Sequence, residues 1–332
     1  MLRAILDFLF ALFRGSPDED ETPRAVEGQD PPAKPAVPDS EDEPVVVPSP
    51  EPEPEPEPEP DPYRTEPEIE EPGRMKISAW AGNASLNNPE RDVAFATSIG
   101  LTRLDVIVND HSGWREPHDF TMRKEAKIEK LVKLAQAAGL EVHFMSWIMP
   151  HRQYVEGAAE QLVPLCNRLG ITSLQWDAEE PWMKATDAMA YPDAAKLIAE
   201  KFKGLDCPMG VNGIGYASAT KFGPLADVCE YVVPQCYATS SNTLDPTTCV
   251  PKFVRRYRSK FGVNKPVQVG LAAYRQPPKG FTTEAAMAAS FGSAEAIEGC
   301  DAVIYWSLGW IRKTPSVAAA IKKLATKGQL VA

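Results

Sequence analysis

The sequence predicts an α/β fold closed into a (β/α)8 barrel, and three observations predict it. Residues 75–332 have about the length of eight strand–helix units, roughly 250 residues. Eight short apolar runs recur along them. After most of these runs the apolar residues switch to helical spacing and then stop at a glycine. Alternating strands and helices imply a parallel sheet, and eight such units imply closure.

The first strand is expected at Lys76–Ala81, followed by a helix capped by Asn88, with Pro89 at its first position and Gly100 as its stop. A second strand at Arg103–Val108 leads to a helix over Thr121–Ala138, where Ile128, Leu131, Val132, Leu134 and Ala135 form an apolar stripe that ends at Gly139. The third strand, Glu141–Ile148, precedes a helix over Tyr154–Leu169 that stops at Gly170. The fourth, Ser173–Ala178, precedes one over Pro192–Lys203 that stops at Gly204. After the fifth, Met209–Ile214, Gly223 and Pro224 should break the helix. The sixth, Tyr231–Tyr237, leads to a helix over Thr247–Phe261. Val267–Ala273 and Ala302–Leu308 complete the strands, and a last helix covers Thr314–Ala325. An open doubly wound sheet is the competing architecture. Gly82-Asn83-Ala84 after the first strand lacks a glycine-rich phosphate fingerprint, which disfavours a nucleotide-binding fold.

Proline and charge set the domain boundaries. Residues 16–74 hold 20 acidic and 4 basic residues, a net charge of −16 against −11 for the whole chain. The acidity therefore belongs to this segment, and the barrel is slightly positive. Glu51 to Pro62 reads EPEPEPEPEPDP. Proline fixes φ and like charges repel, so those residues favour polyproline II and would reach roughly 37 Å, a disordered but stiff linker. Residues 1–15 begin with an apolar run between Arg3 and Arg14, interrupted by Asp7 and too short to span a bilayer. An interfacial anchor or docking helix and an export signal are equally open for it, so a membrane or assembly contact is expected through residues 1–14.

The candidate site starts at Ser173-Leu174-Gln175-Trp176-Asp177-Ala178-Glu179-Glu180-Pro181-Trp182. Side chains alternate along a strand, so Gln175, Asp177 and Glu179 share one side and Trp176 and Ala178 the other. Carboxylates two residues apart at a strand end converge on one cleft, where unequal surroundings can separate their pKa values for acid and charge-stabilising roles. The bland alternative is that Asp177, Glu179 and Glu180 cap a turn. The other strand ends lower its weight: Trp80, Asp110, Trp147, Asn212, Gln235, Tyr237, Tyr274 and Trp306 fall where barrel loops begin. Aromatics and amides in that company suit a neutral, hydroxyl-rich polymer.

These motifs resemble those of family 18 chitinases, glycoside hydrolase TIM barrels whose fourth strand ends in D-x-x-D-x-D-x-E, whose sixth carries Q-x-Y and whose eighth offers a tryptophan. Here they are Gln175-Trp176-Asp177-Ala178-Glu179, Gln235-Cys236-Tyr237 and Tyr305-Trp306, with Thr172 and Gln175 replacing the two leading aspartates. Family 25 lysozymes share the D-x-E of strand four but use an aspartate on strand one, which Ile77-Ser78-Ala79-Trp80-Ala81 lacks. The resemblance implies Glu179 as the general acid, Asp177 assisting an attacking N-acetyl group, Tyr237 holding that group and Trp306 as the sugar floor. Trp80, Asp110, Trp147, Asn212, Gln235 and Tyr274 at the strand ends, with Gln175 and Trp182 of the strand-four stretch, are the expected substrate-binding residues. Asp110 is also the candidate second carboxylate if the acetamido route is not used.

Other chemistries have less support. His111, His118, His143 and His151 show no metal spacing, and His143 is expected as a core or strand residue. No G-x-S-x-G elbow is present. The six cysteines contain no C-x-x-C pair and are expected as buried thiols of a chain folded in a reducing compartment, with one or two disulfides still open. Arg255, Arg256, Arg258 and Lys260 are expected on a solvated helix face. Neither a cofactor nor a metal is expected, nor nucleic acid as a partner. The function expected is hydrolysis of N-acetylated cell-wall glycan: an endolysin-like lytic enzyme of phage or bacterial origin, acting at the cell envelope or carried in a virion. Chitin is the alternative substrate, and a non-catalytic glycan-binding or structural barrel is the alternative role.

Overall fold

A computed structural model describes residues 75–109, 119–214, 219–238, 245–261, 265–273 and 277–327. The expectations for residues 1–15 and 16–74, and for Asp110, His111, His118 and Tyr274, lie outside the described residues.

The strands are β1 (Lys76–Ala81), β2 (Arg103–Ile107), β3 (Glu141–Trp147), β4 (Ser173–Asp177), β5 (Met209–Ile214), β6 (Tyr231–Cys236), β7 (Val267–Ala272) and β8 (Cys300–Trp306). Each pairs in parallel with the next and β8 returns to β1, closing the eight-stranded barrel. Around it run α1 (Asn83–Asn87), α2 (Pro89–Ser98), α3 (Glu125–Ala137), α4 (Arg152–Leu169), α5 (Glu180–Met183), α6 (Tyr191–Lys201), α7 (Ala219–Asp227), α8 (Pro246–Phe261), α9 (Thr283–Glu295), α10 (Leu308–Lys313) and α11 (Pro315–Lys327). No helix among the described residues is long and apolar enough to cross a membrane.

Strand alternation separates two cores. Ile77, Ala79, Leu104, Val106, Val142, Phe144, Leu174, Trp176, Val211, Val269, Leu271, Val303 and Tyr305 join the helices in one continuous apolar layer. The alternate positions are buried too, yet many are polar: Ser78, Arg103, Asp105, His143, Ser173, Gln175, Asp177, Asn212, Gln235 and Gln268. Two bonds show that these side chains fill the lumen, because they join strands that are not neighbours. Arg103 Nη2 on β2 donates to Gln268 Oε1 on β7 at 3.0 Å, and Trp80 Nε1 on β1 donates to Gln175 Oε1 on β4 at 3.2 Å. Branched aliphatics usually dominate such interiors; here hydrogen bonds organise much of this one.

In the lower lumen, Arg103 Nε lies 3.0 Å from Asp105 Oδ2, and the Ser78 hydroxyl donates to the same carboxylate. His143 Nδ1 lies 3.6 Å from Asp105 Oδ1 and its Nε2 is 2.9 Å from Glu141 Oε1. Burial pushes the His143 pKa down, which favours the neutral ring. His143 is thus a buried strand residue, as expected. Tyr231 on β6 reaches Ser173 on β4, hydroxyl to hydroxyl at 2.7 Å, by passing over Gly210 of the intervening β5. A Cβ on Gly210 would lie 2.1 Å from the Tyr231 ring, so only glycine leaves room for that crossing.

Helix boundaries depart from expectation where tertiary contacts intervene. The helix expected from Thr121 begins at Glu125, because Arg123 N donates to Val108 O at 2.8 Å and Met122 bridges Asn109. Asn88 precedes Pro89 but makes no side-chain cap; its Nδ2 donates to Ala84 O at 3.4 Å. The expected break at Gly223 and Pro224 is absent, and both lie inside α7. Phe222 packs edge-on against Tyr257, and Lys265 Nζ donates to the carbonyls of Ala226, Asp227 and Cys229 at the helix end, so tertiary contacts hold a helix that propensity disfavours. Helix α9 was not expected: its alanine-rich sequence gives no apolar stripe, and Thr282 Oγ1 caps it by accepting from Ala285 N at 3.2 Å. All six thiols are free, four of them buried, so no disulfide forms.

The Arg103–Asp105 pair yields a stability prediction. Arg103→Met strips a buried carboxylate of its cation and should cost about 3–5 kcal/mol in urea unfolding. Adding Asp105→Leu should recover most of that loss, since no lone buried charge then remains.

Candidate active site

The site forms where β4 ends. Gln175 and Asp177 point into the lumen while Trp176 packs outward, edge-on to Phe202 at 4.8 Å between centroids. Past Asp177 the chain leaves the sheet. Glu179 occupies the N-cap position of α5, with Pro181 in the first turn, and its carbonyl accepts from Met183 N at 2.8 Å.

The three carboxylates therefore separate. Glu180 is paired with Lys184 one turn along. Asp177 and Glu179 are buried, 1 % and 5 % exposed, and Asp177 Oδ1 and Glu179 Oε1 have no hydrogen-bond partner among the described residues. Burial, and then the charge of Glu179, raises the Asp177 pKa well above the usual carboxylate range. Burial raises Glu179 to about 7; the nearby Gln235 amide pulls it down and the Glu180 charge pushes it up. Two such acids cannot both ionise readily at neutral pH, so the pair holds a proton that it can donate.

Below the acids, Trp80, Gln175, Asn212 and Gln235 are joined to one another. Gln175 Oε1 accepts from Trp80 Nε1 at 3.2 Å and from Asn212 Nδ2 at 2.7 Å, and Asn212 Oδ1 accepts from Gln235 Nε2 at 3.1 Å. All four are at most 5 % exposed. The Trp80 ring also meets Trp306 at 5.6 Å, at the end of β8 just before a cis Trp306–Ser307 peptide. Trp147 closes β3: its backbone N–H donates to Asn109 Oδ1 at 2.9 Å, and its carbonyl accepts from Asn109 Nδ2 and the Tyr154 hydroxyl. Tyr237 follows β6, and with Trp147 and Trp306 it keeps 6–9 % of its surface exposed.

The structure thus brings together Asp177, Glu179, Gln175, Asn212, Gln235, Trp80 and Trp306. Trp182 lies outside the group. It is 0 % exposed, packs on Tyr191 and donates from Nε1 to Lys221 O at 2.8 Å, anchoring α5 to α7 instead of facing a ligand. Sequence reasoning missed the support beneath the site, namely Tyr154, Tyr231, Ser173 and the Arg103–Asp105 pair. The one signal was charge alternation in Arg103-Leu104-Asp105, a strand polar on the face that turned out to be the lumen. Among the described residues, no group of His, Cys, Asp and Glu could hold a metal ion.

A raised acid pKa reverses the usual pH dependence of a carboxylate. The folded state holds the Glu179 proton up to about 7 while the unfolded chain releases it near 4.5, so this stabilisation is complete below pH 4.5 and is lost as pH rises through 7. Glu179→Gln should therefore be more stable than wild type at pH 8, by on the order of 3 kcal/mol, and about equal to it at pH 4. Urea unfolding at the two pH values measures the difference.

No protein-family model matches the sequence, and no curated protein matches it. Solved structures do match by fold. A GH18 chitinase from Pseudoalteromonas aurantia superposes with a TM-score of 0.51 at 9% identity, over 76% of this chain and 99% of that one. A GH5_18 protein from Bifidobacterium longum subsp. longum gives 0.57 at 9% identity, over 77% and 79% of the two chains. The xylanase and α-amylase inhibitor protein XAIP-III gives 0.53 at 12% identity, over 75% and 98%. The chain shares with these proteins the TIM-barrel fold.

Proposed function

We propose that this barrel is a glycoside hydrolase that cleaves N-acetylated cell-wall glycan, with peptidoglycan as substrate and Glu179 as general acid. One observation carries the reading: two buried carboxyls where β4 ends, both with raised pKa, each with one oxygen that lacks a donor among the described residues. Gln235 Oε1 is a third buried acceptor without a donor. A ligand rich in O–H and N–H groups would supply what all three lack.

In this reading Glu179, held protonated near neutral pH, gives its proton to the glycosidic oxygen. Asp177 then orients and charge-stabilises the N-acetyl group as its oxygen attacks the anomeric carbon, so the reaction is substrate-assisted and retains configuration. Tyr237 holds the acetamido group and Trp306 stacks under the sugar ring. Carbonyl attack forms the C–O bond as the glycosidic bond breaks, and water later opens the cyclic intermediate. Glu179, left ionised, accepts a proton from that water. A lytic enzyme of phage or bacterial origin fits this substrate.

A second reading is a barrel that binds glycan without cleaving it. Gln175 supports it, since a neutral amide lies beneath Asp177 where chitinases place an aspartate. Thr172 supports it too: its hydroxyl is at the outer start of β4, bonded to Val142 O at 3.0 Å. The fold likeness to inhibitor proteins, one of them in complex with trehalose, also favours it.

Full-length protein incubated with peptidoglycan and with chitin oligomers should release reducing ends. Glu179→Gln should lower that release on the order of a hundredfold or more. Full activity in the variant would move the general acid elsewhere, and glycan binding without turnover by wild type would establish the second reading.

A further inference from the structure

The amides below the acids have a direction, and one residue sets it. An indole N–H can only donate, so Gln175 must turn its oxygen toward Trp80. That same oxygen is 2.7 Å from Asn212, which must therefore offer its nitrogen. The Asn212 oxygen is then left facing Gln235, whose nitrogen must meet it at 3.1 Å. Each assignment forces the next, across β1, β4, β5 and β6. Reversing the chain would leave the Trp80 N–H, in a residue only 1 % exposed, aimed at another donor.

We propose that Trp80, Gln175, Asn212 and Gln235 are positioning residues: the indole of Trp80 polarises the amide chain so that Gln235 turns its N–H, and not its oxygen, toward the Glu179 carboxyl. This inference rests on the reading of Glu179 as the working acid. It moves Trp80, Gln175 and Asn212 from contacting the sugar to orienting the acid, in keeping with their burial, and leaves Gln235 Oε1 as the acceptor for the ligand. It also explains what Gln175 does in place of a third acid: a carboxylate there would accept from both neighbours but carry a charge beneath Asp177, whereas the amide fixes direction and adds none. Among the described residues, the charges of Asp177 of β4, Glu180 of α5 and Glu179 raise one another's or Tyr257's pKa, and only Gln235 of β6 draws the Glu179 pKa down. The Trp306 ring, 5.6 Å from Trp80, joins the sugar floor to the residue that sets the direction.

Trp80→Phe removes the donor and keeps a ring. In full-length protein with 13C-labelled glutamate, the Glu179 carboxyl carbon, assigned by its loss in Glu179→Gln, should titrate about half to one pH unit higher in Trp80→Phe than in wild type. An unmoved midpoint in a folded variant overturns the proposal. Should that variant not fold, Asn212→Leu cuts the chain at its middle and must raise the same midpoint. The titration needs no substrate, so it tests the amide chain even if no glycan is cleaved. Where turnover is seen, the basic limb of kcat should follow the midpoint with KM within about twofold. A raised KM with an unmoved limb would return Trp80 to substrate binding and overturn the positioning role.

Discussion

Polar side chains sealed inside a closed sheet have little water to bond, so each must find its partner across the lumen or remain costly. That constraint governs this barrel. Arg103 reaches Gln268 on the far wall, Tyr231 passes over Gly210 to Ser173, and Trp80 spans from β1 to Gln175. Every one of these bonds joins strands that are not adjacent, so the network braces the cylinder from within while the aliphatic layer holds the helices outside.

The network also explains where chemistry can occur. Its lower carboxylates are paired: Asp105 receives Arg103 and Ser78, and Glu141 lies against His143 Nε2, while His143 Nδ1 lacks a hydrogen bond. At the upper end the pattern changes. Asp177 and Glu179 are just as buried, but no cation among the described residues neutralises them, and Asp177 Oδ1 and Glu179 Oε1 lack donors there. The same burial thus has opposite outcomes: paired charge below, retained proton above. Lys184 could have neutralised the upper cluster, yet it is bound to Glu180, one helical turn before it. The helix start at Glu179 is therefore as important to the site as the strand that precedes it.

Much of the fold was legible because strand periodicity and glycine stops are local signals. The eight strands lie within about two residues of expectation, and α4 ends at Gly170 in the left-handed conformation that its glycine announces. Failures arose where local preference and tertiary contact disagree. Proline inside α7 is outweighed by Lys265 and Tyr257, and alanine-rich α9 carries no amphipathic contrast to detect. Trp182 was assigned to sugar because aromatics near acids suggest stacking, but a short helix must be anchored, and its indole serves that purpose.

The sequence by itself determined the closed α/β barrel, the strand that leads into the acids, and the shared face of Gln175 and Asp177, because a two-residue period and a strand-helix rhythm are written in nearest-neighbour order. Only the tertiary structure decided that Trp80, Gln175, Asn212 and Gln235 bond one another, that Glu180 is neutralised and Glu179 is not, and that the lumen is polar. Those outcomes depend on which strands face each other across the barrel. Curvature and closure set that relation, and no local pattern encodes it.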